Sequence, residues 1–425
     1  MQKILSDDKY SYYTEVLREE LVPAMGCTEP IAIAYAAAKA RDTLGAFPER
    51  VEIAVSGNII KNAKSVVVPH TGGMKGIEPA VIAGLVGGRS DARLEVLSEV
   101  TDDEIERMHR VAAETPVKVV LADSEYPFDI GVRLFRGEDS AFVRITNRHT
   151  NIVSIKKNGT TLFEGEIGEY TEVKHRELSV EDIVIYADTV DLELVRPTLE
   201  RQVRYNMAIA EEGLRGNWGA NVGSVYLSRY NHDISTKAKA YAAAGSDARM
   251  NGCELPVIIN SGSGNQGMTA SIPVVIYWQH LGLDEEKLYR ALCLSNLLTI
   301  HVKRGIGTLS AYCGAVAAGA GAGCGIAYLY GGGLREVAHT LVNALAIDSG
   351  LVCDGAKASC AAKIATAVEN GILGFNLFRE GNQFSGGDGI VKKGVERTIE
   401  SVGRLARQGM LETDKAILDI MLEKR

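Results

Sequence analysis

The sequence predicts an α+β fold, with N-terminal helices and a mixed α/β domain followed by a large all-helical domain. Three observations carry that prediction. Short runs rich in β-branched residues crowd the stretch from about 50 to 169. Such runs almost vanish after about 178, and helical stretches punctuated by Gly-rich breaks fill the remainder. The expected divisions are 1–45 for the N-terminal helices, 46–177 for the mixed domain and 178–425 for the helical domain.

The first 45 residues read as two helices broken at Met25-Gly26-Cys27. Pro30 suits the first turn of the second helix, where its missing N–H would have no partner anyway, and Thr28 is placed to cap it. The β runs follow: VEIAVS, SVVVP, VKVVLA, FDIGVRLF, AFVRIT, NIVSIKKNG and TLFEGEI. Asn158-Gly159 between the last two is a hairpin turn signal. Helical patterns interrupt the β runs at 77–88 and 102–114. Beyond them helices are expected at roughly 180–213, 233–250, 265–281, 284–301, 308–330, 334–348, 355–370, 391–408 and 412–423. The breaks GLRGNWGANVG, SGSGNQG, GGG and SGGDG separate several of them.

At 46% hydrophobic and 24% charged residues, the composition is that of a soluble globular chain. A net charge of −8 with scattered Lys and Arg leaves no basic surface for nucleic acid or anionic lipid. The charged, amphipathic N-terminal segment lacks the apolar core of a secretory signal, so a cytoplasmic location is expected. Seven cysteines, an odd number, argue for reduced thiols rather than a disulfide framework. The nearly uncharged stretch 306–333 has the length of a membrane span. Its Ala and Gly content gives it little affinity for lipid, and a buried central helix closely packed by its neighbours is expected instead.

Cys313, Cys353 and Cys360 are spaced C-x39-C-x6-C, the first expected on the Ala/Gly helix and the others around a turn and a helix start. This spacing suits no zinc ribbon or finger. Three thiolates fit a cubane cluster with one iron left open to substrate, although buried Cys is also commonly a small apolar core residue. Cys27, in Met25-Gly26-Cys27-Thr28-Glu29-Pro30, precedes a helix N-terminus that should lower its pKa. That is a place for a nucleophile, base or ligand, or simply for a buried thiol. Cys253, Cys293 and Cys324 read as core.

The segment Asn260-Ser261-Gly262-Ser263-Gly264-Asn265-Gln266-Gly267 is a nest for a carboxylate or phosphate, or else a flexible loop entering a helix. Pyridoxal-phosphate dehydratases use loops of similar appearance, together with a Lys. Arg249 is suited to a bidentate carboxylate contact. His70-Thr71 and His149-Thr150-Asn151 sit at strand ends, where substrate contacts are frequent. Thr28 and Glu29 join the substrate-binding candidates through their motif, and His301 and Lys303 are near enough to Cys313 to face the same pocket.

Taken together, MGCTEP at 25–30, HTN at 149–151, EGLRGNWG at 212–219, SDARM at 246–250, NSGSGNQG at 260–267, LSAYCGA at 309–315 and GLVCDGAKASCA at 350–361 resemble the L-cysteine desulfidase family. That family is related to the alpha chain of iron–sulfur L-serine dehydratases, and the resemblance runs nearly end to end. It implies one 4Fe-4S cluster held by Cys313, Cys353 and Cys360, with the fourth iron open because no Cys follows Cys360. It further implies a carbon–sulfur lyase that eliminates the β-thiol of L-cysteine, giving sulfide, ammonia and pyruvate. Cys27 would be the catalytic base or a transient fourth ligand, while the 260–267 nest and Arg249 hold the substrate carboxylate. The alternatives are an L-serine dehydratase using the same cluster, a pyridoxal-phosphate lyase, and a non-catalytic iron–sulfur protein. The expected partner is a small amino-acid substrate, with neither nucleic acid nor membrane, and the assembly the reading allows is a homodimer.

Overall fold

A computed structural model describes residues 4–167, 177–230, 233–307 and 309–423. The chain opens with α1 (Asp7–Glu20), capped by the Ser6 hydroxyl, then β1 (Pro23–Met25) and α2 (Thr28–Leu44). The mixed part continues through β2 (Arg50–Val55), α3 (Gly57–Ala63), α4 (Ile77–Val86), α5 (Asp102–Glu114) and β3 (Val117–Leu121). It ends in the meander β4 (Asp129–Arg136), β5 (Asp139–Thr146), β6 (Ile152–Lys157) and β7 (Thr160–Glu164). Thr101 and Glu104 form the capping box that starts α5. Asn158 and Gly159, both at positive φ, make the turn between β6 and β7 that their sequence signals.

Among the described residues these strands form a six-stranded sheet of order β3-β2-β4-β5-β6-β7, parallel at β2–β3 and antiparallel elsewhere. Helix α2 lies on one face of it and α4 lies on α2. The Ala-rich sequence of α2 allows this double burial, and Gly84 of α4 sits so close that a Cβ there would fall 2.1 Å from the Ala34 carbonyl. SVVVP is not a strand: only a single bridge, Val67 to Lys75, forms there. Pro69 has no N–H for a ladder, and Gly72-Gly73 turn the chain back.

The helical part comprises α6 (Val180–Thr189), α7 (Arg196–Arg215), α8 (Val222–Arg229) and α9 (Ile234–Met250), then the short β8 (Pro256–Ile258). It continues with α10 (Gly264–Leu281), α11 (Glu285–Ile306), α12 (Ala315–Leu329), α13 (Leu334–Ile347), α14 (Cys360–Arg379), α15 (Val395–Arg404) and α16 (Leu411–Leu422). Every residue of α12 is buried, and α10, α11, α13 and α14 surround it, as its Ala/Gly content predicts. No helix among the described residues is long and apolar enough to cross a membrane.

Glycines let α12 and α14 touch backbone to backbone, since a Cβ at Gly371 would lie 2.1 Å from the Gly319 carbonyl oxygen. Gly371→Val is therefore expected to destabilise the fold by about 3 kcal/mol or more, because neither helix can yield without disturbing the other's packing. Denaturant titration measures it, and an unchanged midpoint would show that the crossing has slack.

Helix α1 packs on the helical part rather than on the sheet. Lys9 pairs with Asp182 at 2.6 Å, Tyr10 meets Thr189 at 2.6 Å, and Thr14 meets the Tyr186 hydroxyl at 2.7 Å. Strand β1 pairs antiparallel with β8, Ala24 opposite Val257. This pairing carries Cys27, the next residue but one after β1, to the loop that opens α10.

Candidate active site

The segments after β1 and β8 border a cavity of about 110 Å³ that the loops before α12 and α14 close. Cys27 takes the N-cap position of α2, and Thr28 is the first helical residue rather than the cap. Gly26 before it is at φ +53, with the Pro69 ring where a side chain would be. The Cys27 thiol donates to the Glu29 carboxylate at 3.1 Å. Full burial, followed by the Glu29 charge, pushes its pKa well up, the reverse of the lowering that a helix N-terminus alone would give. The resting group is a thiol.

Glu29 is buried, which by itself raises its pKa. His149 and the Cys27 thiol outweigh that and bring it to about 2. The His149 ring stands 3.9 Å from Glu29, an electrostatic contact rather than a hydrogen bond. Thr28 donates to the Gly262 carbonyl at 2.9 Å, fastening α2 to the nest loop.

Cys313, Cys353 and Cys360 all open on this cavity. Cys313 lies in the loop just before α12, not on the helix, and Cys360 is the first residue of α14. The two loops are joined as a short antiparallel bridge: Cys313 N–H donates to the Leu351 carbonyl at 3.1 Å, and Cys353 N–H to that of Ala311 at 2.6 Å. Hydrogen bonding from Cys313 holds the Cys353 thiol below its ordinary range against the effect of burial, with Lys61 and Lys363 adding to the shift. Cys313 is raised in return.

No group of three or more His, Cys, Asp or Glu among the described residues is arranged to hold a single metal ion. A cubane asks for something else, since each thiolate binds its own corner iron and the sulfurs need not converge on one point. Three soft donors around one cavity, two of them on loops joined by a backbone bridge, fit that requirement.

The same cavity is lined by Arg249 at the end of α9, 2% exposed. Its Nη1 donates to the Asn265 side chain at 3.1 Å, whereas Nε and Nη2 meet no acceptor among the described residues. The guanidinium rests on the first turn of α10, where a Cβ at Gly264 would be 2.4 Å from Nε. Ser261 and Gly262 are both left-handed, which turns the chain into that helix start. Ser261, Ser263, Asn265 and Gln266 reach the cavity. The Gln266 Oε1 also has no partner among the described residues. A cation and unpaired N–H groups at a helix N-terminus converge here, which is the chemistry of a carboxylate site.

Several expected site residues do not face the cavity. Asn260 is buried in a network with Asn296 and Gln202 and serves the core. Asn151 ties its own turn to the Thr146 carbonyl, so of HTN only His149 lines the site. Thr71 braces the 68–74 turn by bonding Val68 and Met74, and His70 faces Glu254. His301 is turned away toward Glu396, while Lys303 lines the cavity. Asn62 and Lys363 are lining residues that no motif announced. A second cavity of about 140 Å³ adjoins the first, with His149, Ser261, Gly262 and Lys303 common to both walls.

A family model described as the serine dehydratase alpha chain matches residues 91–419. A UPF0597 protein from Desulfitobacterium hafniense is 57% identical over 421 residues, 98% of each chain. UPF0597 proteins from Lachnoclostridium phytofermentans and Treponema denticola are 52% and 48% identical, spanning 97% and 99% of this chain and 100% and 99% of their own. The family match takes in Arg249, the nest and all three cavity thiols, and the relatives extend the likeness across the Cys27 segment. The chain belongs to the serine dehydratase alpha chain family.

Proposed function

We propose that this chain is an iron–sulfur lyase that removes the β-substituent of a small amino acid, L-cysteine before L-serine. The observation that carries the reading is one cavity lined by three thiols together with the Arg249 guanidinium, whose Nε and Nη2 meet no acceptor among the described residues. Cys313, Cys353 and Cys360 would hold a 4Fe-4S cluster. When bound, such a cluster supplies a Lewis acid at the iron without a protein thiolate, and iron's affinity for sulfur favours a β-thiol over a β-hydroxyl.

The chain's own residues do the rest. Arg249 and the N–H groups at the start of α10 bind the substrate carboxylate, directing the β-carbon toward the thiols. Burial brings Lys303 down to about 8, so that a fraction of it is neutral at physiological pH and able to take the α-proton. Cys27, kept as a thiol beside Glu29, contributes a fourth sulfur to the cavity rather than a resting base. Loss of the α-proton and the β-substituent leaves aminoacrylate, which water converts to pyruvate and ammonia, with sulfide released from cysteine.

The decisive experiment is anaerobic purification with assay of iron and acid-labile sulfide, then addition of L-cysteine or L-serine. About one cluster per chain, with sulfide and pyruvate rising together, is expected. Iron-free protein fully active on cysteine would refute the cluster, and activity on serine alone would reverse the substrate order.

The base assignment has its own signature. As pH rises through about 8, Lys303 loses its proton and kcat/KM should climb to a plateau. Lys303→Met should lower turnover by roughly 10²–10⁴-fold and abolish that limb, with iron content unchanged. A variant with the wild-type pH profile would remove Lys303 from the mechanism.

A further inference from the structure

Beside the bridged thiol loops, and not among the cavity's lining residues, lies an ion pair between a buried Lys and a part-buried Asp. Lys61, on α3, is 2% exposed. Its ammonium donates to Asp414 Oδ1 at 2.5 Å and to the Cys353 carbonyl at 3.4 Å. Asp414 Oδ2 accepts the Ala311 N–H at 3.1 Å, and the Ala311 carbonyl accepts the Cys353 N–H at 2.6 Å. The four residues thus form a closed hydrogen-bonded ring, from Lys61 to Asp414 to Ala311 to Cys353 and back.

Two members of the ring are backbone groups, one of Cys353 itself and one of Ala311, two residues before Cys313. The other two are side chains from segments some 350 residues apart in sequence. Gly355, at φ +97, presses the same loop against α3, where a Cβ would fall 2.2 Å from the Lys61 carbonyl. Helix α16 has no buried residue of its own. It is held on α3 by Leu418 against Gly57, by Lys64 donating to the Met421 carbonyl, and by this ring.

We propose that Lys61 and Asp414 are positioning residues that preset the Cys313 and Cys353 loops for cluster binding, with α16 serving as the clamp. A charged pair is suited to the task because each end reaches two partners, so that the loops and α3 cannot shift independently. The ring is complete without any bound group, so the clamp acts on the metal-free chain. The cluster-binding half of the proposal rests on the lyase reading, whereas the clamp itself does not.

The test is amide hydrogen exchange on the metal-free, full-length protein, comparing wild type with D414N, D414A and K61M. Exchange in 309–314 and 351–356 should accelerate together by about tenfold or more, while α12 keeps its protection and the melting temperature moves little. D414E should restore part of the protection, which a general loss of packing would not allow. Reconstituted anaerobically, D414N should lose iron to a chelator several-fold faster than wild type. If D414A does not fold, D414N and K61M still report.

Unchanged exchange in both segments of D414N and K61M would overturn the clamp, even in a protein that binds its cluster and cleaves cysteine. Loosened loops in a chain that never takes up iron would uphold the clamp and defeat the lyase reading instead.

Discussion

Cys353→Ala, purified without oxygen, is expected to hold less than about a tenth of the wild-type iron and labile sulfide, because a cluster bound at an open site depends on each deprotonated ligand, and to release no sulfide from L-cysteine. Of the three cavity thiols, this one is biased most toward thiolate, by the Cys313 hydrogen bond and by Lys61 and Lys363. Its backbone is also fixed on both sides, the N–H by Ala311 and the carbonyl by Lys61. A ligand biased toward thiolate and held in place surrenders little on binding iron, so its removal should cost the most. Cys293→Ala is the matching control. That thiol is fully buried in the core on α11, and its loss should leave the iron content intact. Equal iron in the Cys353 and Cys293 variants would eliminate the proposed ligand set.

Arg249→Met should raise KM for cysteine by roughly 100-fold, the scale of a lost charge-assisted carboxylate contact, and change kcat less. The same substitution should stabilise the unliganded protein. A buried guanidinium whose Nε and Nη2 lack acceptors among the described residues carries a desolvation penalty, and burial already depresses its pKa. Methionine fills much of that volume without charge. Melting temperature and KM should therefore rise together. A wild-type KM would show that the carboxylate binds elsewhere, and a fall in stability would show that Arg249 serves the fold instead of the ligand.

The fold class was readable because burial on one or two faces imposes its period on the sequence. The alternating runs of β4 and β5 and the all-small α12 both declare their surroundings. The triad of thiols was readable for a different reason, since Cys at 313, 353 and 360 stands in motifs rather than in an apolar pattern. Sequence reasoning failed wherever the answer depended on burial or on which of several partners a side chain takes in the folded chain. Cys27 at a helix start promised a thiolate, but Glu29 and complete burial decide its state. His70 and Asn151 have the right chemistry at strand ends, yet their partners are local turns or a neighbouring carboxylate. Asn260 stands within a recognisable nest, but Asn296 of α11 draws its side chain into the core. Lys61 and Asp414 left no trace in the sequence, because a lone Lys and a lone Asp on amphipathic helices look like solvated surface.

The antiparallel match of β1 with β8 also bears on how the chain acquires its shape. Ala24 finds its partner only when Val257 has been made, and at usual synthesis rates that is on the order of 20 s later. Helix α1 waits almost as long for Asp182, Tyr186 and Thr189. In the interval the meander from β4 to β7 has its neighbours at hand, whereas the N-terminal segment exposes Tyr13, Leu17 and Leu21, all of them fully buried at the end. A nascent chain of this protein should therefore carry an adhesive apolar start through much of its elongation, and ribosome-bound intermediates ending before residue 256 should be the ones that chaperones retain.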